Sequence, residues 1–215
     1  MEIIPSIIAK DFSDVKSKLT QLDGLVNWAE LDIMDGVFVP EYTWPLNPAE
    51  GRQAAEDLND VGGKIKISAH LMVEYPETII DDWQDLVDRL VIHYESTNNL
   101  EKIIESAGPH IGLAIALELH TPVEKIYEYL GQVKTVQLMS INKVGYSGEK
   151  FNESVFEKIK TLKTNWPDVK IVVDGGVNLE NGKRLAEAGV SGLVVGSKIW
   201  SAPDVKEAIR EFKEL

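Results

Sequence analysis

The sequence contains no cysteine, which excludes disulfide bonds and thiolate ligands to a metal ion. It also has no apolar run long enough to span a membrane, and no basic segment followed by an apolar one stands near Met1. We therefore expect neither membrane association nor a secretory leader. Together these absences are typical of a cytoplasmic protein.

Positive charge is also scarce, because 22 Lys and Arg residues stand against 35 Asp and Glu residues and give a formal net charge of −13. A protein binds nucleic acid by neutralising phosphates with clustered Lys and Arg, so we expect no nucleic-acid partner. A small anionic ligand would need local donors, such as backbone N–H groups, to offset the unfavourable overall field.

Short β-rich apolar runs alternate with helical patterns along the whole chain. The eight predicted strands cover residues 3–7, 27–33, 64–70, 90–93, 110–117, 134–139, 170–173 and 192–195. Eight such units fit an α/β fold of the TIM (β/α)8 barrel type, and the absence of a linker predicts a single domain over residues 1–215. An open doubly wound sheet would need a glycine-rich turn after its first strand, and residues 6–10 contain no glycine.

Helix boundaries are marked by polar residues, proline and glycine. Residues 11–14, 121–124 and 202–204 are predicted to open the first, fifth and last helices. Gly189 is predicted to end the seventh helix with a left-handed backbone. The longest irregular connection, residues 39–63, follows the second strand and would lie over the mouth of a barrel.

The second predicted strand carries an unusual set of side chains. Glu30, Asp32 and Met34 alternate with Leu31 and Ile33, so two carboxylates and a thioether point to the same face. Buried carboxylates without a partner cost several kcal/mol, and a metal, a proton or a substrate would have to compensate them. The alternative is an edge strand whose acidic face meets water.

In a barrel, chemically capable residues are expected at the carboxyl ends of the strands. Polar, histidine, methionine and glycine residues collect at these ends, namely Ser6, Glu30, Asp32, Met34, His70, Met72, Met139, Ser140, Asp174, Gly175, Gly176, Gly196 and Ser197. Three of the four methionines are among them. Each methionine alone is typical of core packing, and their shared location favours a site wall.

Glu30, Asp32, His70 and Asp174 could surround one divalent cation, because carboxylate and imidazole ligands suit Zn²⁺, Mn²⁺ or Fe²⁺. Two aspartates on opposite sides of a barrel mouth could also remove a proton from one face of a carbon and return one to the other. That is epimerase or isomerase chemistry. The spacing also allows Asp174 to be a turn residue, and we interpret the other strand-associated histidines, His93 and His110, as core residues.

Three predicted loops are rich in glycine. They are Gly145-Tyr146-Ser147-Gly148, Gly175-Gly176 and Gly196-Ser197, which follow strands six, seven and eight. Such loops can bring backbone N–H groups close to an anion, and barrels commonly bind phosphate after strands seven and eight.

These residues resemble the ribulose-phosphate 3-epimerase family nearly from end to end. The motifs are Pro5-Ser6-Ile7-Ile8 with Asp11-Phe12, Leu31-Asp32-Ile33-Met34-Asp35-Gly36 with Phe38-Val39-Pro40, His70-Leu71-Met72, Val173-Asp174-Gly175-Gly176-Val177-Asn178 and Val195-Gly196-Ser197. The resemblance implies a TIM barrel of the ribulose-phosphate-binding type. It also implies a metal-dependent enzyme that interconverts ribulose 5-phosphate and xylulose 5-phosphate by inverting carbon 3.

The resemblance further implies a role for each matching residue. Asp32 and Asp174 would be the acid/base pair that also binds the metal, and His70 a ligand that touches substrate. Ser6 would contact substrate, and Met34, Met72 and Met139 would wall an enediolate intermediate. The three glycine loops, with Ser197, would hold phosphate. The one divalent metal ion would make the reacting C–H bond more acidic.

Departures from the family pattern are as informative as the matches. Glu30 stands where the family has a histidine ligand, which makes the ligand set one charge more negative and leaves the choice among Zn²⁺, Fe²⁺, Mn²⁺ and Mg²⁺ open. Further differences are Glu41, Trp44-Pro45, Glu118-Leu119-His120, Asn142-Lys143 with one extra residue, and Ser147. We expect these changes to ring the mouth of the barrel, where substrate is chosen.

Two other functions therefore stay open. One is an epimerase of a different ketose phosphate, such as a ketohexose 6-phosphate, and the other is a non-catalytic protein that binds a phosphosugar. Barrels of the related decarboxylase and hexulose-phosphate synthase type would have a lysine between the acids at positions 32 and 35, and there is none here. The five tryptophans could serve an interface or pack inside the molecule, which leaves a homo-oligomer open.

Overall fold

The computed structural model describes residues 1–48, 58, 61, 63–108, 110–146 and 148–215. Within this part of the chain, eight parallel strands close into a barrel in sequence order. The strands are β1 Glu2–Ile7, β2 Trp28–Met34, β3 Lys66–Met72, β4 Arg89–His93, β5 Gly112–Leu117, β6 Thr135–Met139, β7 Lys170–Asp174 and β8 Gly192–Val195. The predicted TIM barrel and its strands are confirmed, with most ends shifted by one or two residues.

Helices cover the outside of the barrel. The α-helices are α1 Phe12–Leu22, α2 Leu100–Ser106, α3 Val155–Asn165, α4 Leu179–Glu187, α5 Ser197–Trp200 and α6 Val205–Lys213. Shorter 3-10 helices span Pro76–Thr78, Ile80–Asp82, Tyr94–Ser96 and Val123–Tyr129. The connection after β3 is therefore built from 3-10 turns, and the predicted fifth helix begins as expected but winds as a 3-10 helix.

The predicted helix ends are confirmed where the cap is a side chain or a glycine. Asp11 accepts a hydrogen bond from the backbone N–H of Asp14 at 2.9 Å, and Asp204 caps α6 in the same way. Gly189, with a φ of +79°, follows α4 and reverses the chain before β8. No helix in these described ranges is long and apolar enough to cross a membrane.

Strand alternation divides the core into two layers. Leu31 and Ile33 on β2 point outward and pack with the helices in the main apolar core, between the barrel and its covering layer. The inward-facing positions are apolar at the amino ends of the strands, where Ile4, Val172 and Val194 pack together. Because β2 pairs with both β1 and β3, the edge-strand alternative for its acidic face is wrong.

Above this apolar floor the barrel interior is polar and closed to water. Glu30, Ser68, His70 and His93 are fully buried, and Gln137 is 1% exposed. Asp32 and His70 are direct neighbours in the ladder between β2 and β3, as are Met34 and Met72. The strand register therefore sets the relative heights of the polar side chains.

The interpretation of His93 and His110 as core residues is correct for one of them and wrong for the other. His93 is buried in the interior and contacts His70, as expected of a hydrogen-bonded core histidine. His110 is exposed, because it precedes the first residue of β5 and lies outside the barrel wall. The interpretation of His110 as a core residue is therefore wrong.

Candidate active site

A cavity of about 790 Å³ opens at the carboxyl ends of the strands. Its lining includes Ser6, Asp32, Met34, Met72, Met139, Gly145, Tyr146, Gly148, Asp174, Gly175, Gly176, Gly196 and Ser197. The fold thus brings together residues that are up to 191 positions apart in the chain. Glu30 and His70 lie beneath this lining, and Ser147 lies outside the described residues.

The imidazole of His70 lies at the centre of the polar cluster. Its Nδ1 atom is 3.3 Å from Oδ1 of Asp32, 3.5 Å from Oε1 of Glu30 and 3.7 Å from Oδ2 of Asp174. The ligand atoms of Glu30, Asp32 and His70 lie within 4.8 Å of one another. Three carboxylates from β2 and β7 therefore converge on one nitrogen from β3.

Glu30 is held in this cluster by two neutral donors. Its Oε1 accepts a hydrogen bond from Nε2 of Gln137 at 2.8 Å, and its Oε2 accepts one from the hydroxyl of Ser68 at 3.1 Å. Neither donor carries a charge, so the fully buried carboxylate has no cation to balance it within the hydrogen-bond network. Burial accordingly raises the pKa of Glu30, against the opposing effect of His70.

The two aspartates are perturbed in the same direction. Burial raises the pKa of Asp32 to about 8, and burial together with the charges of Asp32 and Glu30 raises the pKa of Asp174. Oδ1 of Asp32 is buried and makes no hydrogen bond to any residue that the structure describes. A group of this kind favours the arrival of a proton or a cation.

Sequence reasoning missed part of this network. Gln137 projects from β6 across the barrel to Glu30, and Ser68 reaches the same carboxylate from β3. The available signal was a polar residue at an inward position among apolar neighbours, as in Val136-Gln137-Leu138. A second group, formed by His93, Glu95 and Glu118, lies next to the first and was not recognised as a unit.

The expectation that the departures from the family pattern ring the mouth is only partly correct. Trp44 is 2% exposed and packs between Phe12 and Trp83, with ring centroids 5.4 and 6.1 Å away, so it belongs to the core between barrel and helices. Glu41 is exposed and pairs with Lys10. Among these positions and their neighbours, Val144 lines the cavity.

The glycine loops approach their neighbours closely. A Cβ atom on Gly176, whose φ is +65°, would lie 2.4 Å from the backbone nitrogen of Phe151. A Cβ on Gly196 would lie 2.8 Å from the hydroxyl oxygen of Ser6. Gly176 is therefore restricted to glycine by contact as well as by conformation, whereas Gly196 is restricted by its contact with Ser6.

Comparison with known proteins places this geometry in a family. Residues 2–200 match the ribulose-phosphate 3 epimerase family. The ribulose-phosphate 3-epimerase of Bacillus subtilis is 32% identical, with 99% of this chain and 98% of that protein aligned. The enzyme of the same name from Methanocaldococcus jannaschii is 30% identical, with 100% and 90% aligned.

Solved structures show the same architecture at lower identity. A 3-hexulose-6-phosphate synthase superimposes with a TM-score of 0.74 and 17% identity, covering 100% of this chain and 99% of the other. KGPDC from Streptococcus mutans in complex with D-R5P gives 0.75 and 15%, with 99% and 95% covered. At these identities the likeness concerns the fold alone. The family match and the full-length relatives confirm the resemblance seen in the motifs, and the chain belongs to the ribulose-phosphate 3 epimerase family.

Proposed function

We propose that this protein is a metal-dependent epimerase that inverts carbon 3 of a phosphorylated ketose and interconverts D-ribulose 5-phosphate and D-xylulose 5-phosphate. The observation that carries the proposal is the convergence of Asp32 and Asp174 on His70. One carboxylate comes from β2 and the other from β7, and both lie within 3.7 Å of the same imidazole nitrogen. Family membership supports the reaction class.

The donor set fits one divalent cation. Glu30, Asp32, His70 and Asp174 would hold it, and the buried Oδ1 of Asp32 without a hydrogen bond is a natural ligand atom. Such an ion would polarise the carbonyl and hydroxyl oxygens of the sugar and make the neighbouring C–H bond more acidic. Three carboxylates favour a hard ion such as Mn²⁺ or Mg²⁺ more than a site with two histidines would.

Proton transfer is assigned to the two aspartates. One carboxylate removes the proton of carbon 3 on one face, and the other, protonated, returns a proton to the opposite face of the enediolate. This chemistry needs one ionised and one protonated acid near neutral pH. The pKa of Asp32 is raised to about 8 and that of Asp174 is also raised, so protons are held on this pair near neutral pH, and a bound cation would favour the ionised form of one of them.

Apolar side chains would protect the reacting carbon. Met34, Met72 and Met139 line the cavity at the strand ends and are at most 3% exposed. Their thioethers can pack against a planar intermediate and keep water away from it. Ser6, which lines the same cavity from β1, would contact the substrate.

The phosphate is assigned to the glycine loops after strands six, seven and eight. Gly148, Gly175, Gly176, Gly196 and Ser197 line the cavity on one side. Because these glycines have no side chains, an anion can approach their backbone N–H groups directly. Gly145, Tyr146 and Ser147 complete the same assignment from the loop after β6.

Proton exchange tests the proposal directly. Purified protein supplied in turn with Zn²⁺, Mn²⁺, Fe²⁺ or Mg²⁺ should epimerise ribulose 5-phosphate and exchange its carbon-3 proton in deuterated water. Asp174→Asn should lose both activities, whereas Asp168→Asn, an exposed change just before β7, should keep them. If no metal supports either activity in the wild-type protein, the assignment is wrong.

A second candidate function is epimerisation of another ketose phosphate, such as a ketohexose 6-phosphate. It is favoured by Ile141 and Val144, which line the cavity from the connection where residues 142 and 143 depart from the family pattern. A panel of ketopentose and ketohexose phosphates separates the two. A kcat/KM for a hexose phosphate well above that for ribulose 5-phosphate would favour this candidate.

The third candidate, a non-catalytic phosphosugar-binding protein, is motivated by Glu30 in place of a ligand histidine. Metal analysis discriminates between this candidate and an enzyme. Protein that binds ribulose 5-phosphate but takes up none of the four divalent ions would support it. Protein with about one equivalent of metal and measurable proton exchange would exclude it.

A further inference from the structure

Two buried histidines meet edge to edge beside the carboxylate cluster. Nε2 of His70 on β3 lies 2.8 Å from Nε2 of His93 on β4, and the ring planes are 16° apart. Both side chains are fully buried. At this distance the two nitrogens share one proton, so one ring donates it and the other accepts it.

The far side of His93 decides which ring donates. Nδ1 of His93 lies 3.4 Å from Oε2 of Glu95, and neither buried atom makes another hydrogen bond in the described part of the chain. The carboxylate of Glu95 is anchored by the backbone N–H of Glu118, which donates to its Oε1 at 2.9 Å. A carboxylate in this position accepts a hydrogen bond from a protonated Nδ1 of His93, and in a neutral ring this leaves Nε2 of His93 without a proton.

The proton arrangement on His70 follows from that of His93. Because Nε2 of His93 must accept, Nε2 of His70 must donate, and Nδ1 of His70 keeps its lone pair. That lone pair faces Glu30, Asp32 and Asp174, and it is stable there only when a cation or an acid proton lies between the ring and the carboxyl groups. The amide Nε2 of Gln137, which can only donate, lies 3.4 Å from the same Nδ1, a contact that an unprotonated Nδ1 can accept.

We propose that Glu95 and His93 are positioning residues that hold His70 with a bare Nδ1 and so prepare it to bind a divalent cation. This inference rests on the proposed function, since it concerns the same metal position. Together His70, His93 and Glu95 form a chain of hydrogen bonds that runs outward from the metal position, and we call this chain the relay. Outer-shell partners of this kind fix the tautomer and orientation of a ligand imidazole.

The same residues also form a competing arrangement. The ligand atoms of His93, Glu95 and Glu118 lie within 4.8 Å of one another and could themselves take a cation. If Nδ1 of His93 bound that cation, His93 would carry its proton on Nε2 and His70 would carry its own on Nδ1. His70 could then not be a ligand, so with neutral rings the two positions exclude each other.

The surroundings favour the relay over the competing site. Lys158 donates hydrogen bonds to the backbone oxygens of Glu118 and Thr121, and its ammonium group attracts both Glu95 and Glu118. Positive charge is therefore already supplied beside the second group. Within the described residues, no Lys or Arg makes a hydrogen bond to the first group. Arg89 attracts Glu30 and balances part of its charge, and a bound ion or protons must balance the rest.

Nitrogen-15 spectra of the histidine rings test the relay in the metal-free wild-type protein. The chain has four histidines, and His110 and His120 are exposed, so His110→Gln and His120→Gln identify the signals of those two rings, and His93→Gln separates the signals of His93 from those of His70. We expect Nε2 of His70 to be protonated and Nε2 of His93 to be bare. A protonated Nε2 on His93 would overturn the proposal whatever the metal content.

Metal affinity supplies the second measurement. Glu95→Gln should weaken Zn²⁺ binding, followed by competition with a chromophoric chelator, by roughly 10- to 100-fold. Glu118→Gln is the matched control, because it removes a neighbouring carboxylate but keeps the backbone N–H that anchors Glu95. Equal losses in the two variants, or a second equivalent of Zn²⁺ that Glu118→Gln abolishes, would contradict the relay.

The two proposals can fail separately. Wild-type protein that binds no divalent ion would refute the metal assignment, while the ring spectra would still decide the proton arrangement of His70 and His93. Conversely, an active metalloenzyme with a bare Nε2 on His70 would keep the proposed function and refute the relay. Thermal unfolding of Glu95→Gln identifies any loss of affinity that comes from misfolding.

Discussion

Replacing Glu30 by Gln should have opposite effects on the metal-free and the metal-loaded protein. The amide keeps the shape of the side chain and can still accept from Gln137 and donate to the hydroxyl of Ser68, so the network persists without the charge. In the metal-free protein the change removes one of three crowded buried acids. In the loaded protein it removes one negative ligand.

The expected magnitudes follow from the spacing of the charges. Unit charges about 4 Å apart interact by about 4 kcal/mol at an effective dielectric constant of about 20, and desolvation offsets part of this. We expect the metal affinity to fall by about 3 kcal/mol, which is a factor of roughly 100 in Kd. The metal-free protein, whose acids are already partly neutralised by protons, should gain about 1–2 kcal/mol at pH 8.

Urea unfolding with a chelator and with excess Mn²⁺ measures both effects on the same samples. Ser68→Ala is the control, because it removes a donor to Glu30 but keeps the charge, and it should weaken the protein in both conditions. A Glu30→Gln protein that is destabilised equally with and without metal would refute the reasoning. Glu30 would then be a structural acceptor and not part of a cation site.

Three further outcomes are expected. Asp174→Asn should retain the fold, and its rate of carbon-3 proton exchange, measured by NMR in deuterated water, should fall at least about a hundredfold. A smaller loss would show that Asp174 does not transfer the proton. Gly176→Ala, whose Cβ would lie 2.4 Å from Phe151 N, should lose several-fold more affinity for ribulose 5-phosphate than Gly131→Ala, a change outside the cavity lining whose Cβ would meet no described atom within 4 Å; equal affinities in the two variants would contradict the phosphate assignment. Because the folded-state pKa of Asp32 is about 8 and the ordinary pKa of an aspartate is 3.8, the folded protein binds more protons between these limits, and the stability of the metal-free protein should fall as the pH rises from about 4 to 8; Asp32→Asn should flatten this dependence in urea titrations.

The sequence predicted the barrel well because its signals are local. β2 is marked by carboxylates that alternate with apolar residues, β7 by a short apolar run that ends in a carboxylate, and parallel strands in a barrel end on one side. The 3-10 winding of Val123–Tyr129 was not predictable in the same way, because helix start signals do not specify the hydrogen-bond spacing that follows.

The candidate site was predicted in part for a related reason. Asp32, His70 and Asp174 stand out as reactive residues at strand ends, but Gln137 reaches Glu30 across 107 positions in the chain, and no local pattern reports that contact. Trp44 was misplaced because its position after the second strand says nothing about which way its ring turns. Packing between Phe12 and Trp83 decided that.

The register between β2 and β3 has a consequence for how this molecule can change over time. Asp32 faces His70 and Met34 faces Met72 across a continuous backbone ladder, so two of the reactive groups and two of the wall residues are fixed to each other without help from any loop. Insertions and exchanges in the connections above them can therefore reshape what enters the cavity while the chemistry below keeps its alignment. The residues that select the sugar can therefore change without disturbing the alignment of the groups that carry out the reaction.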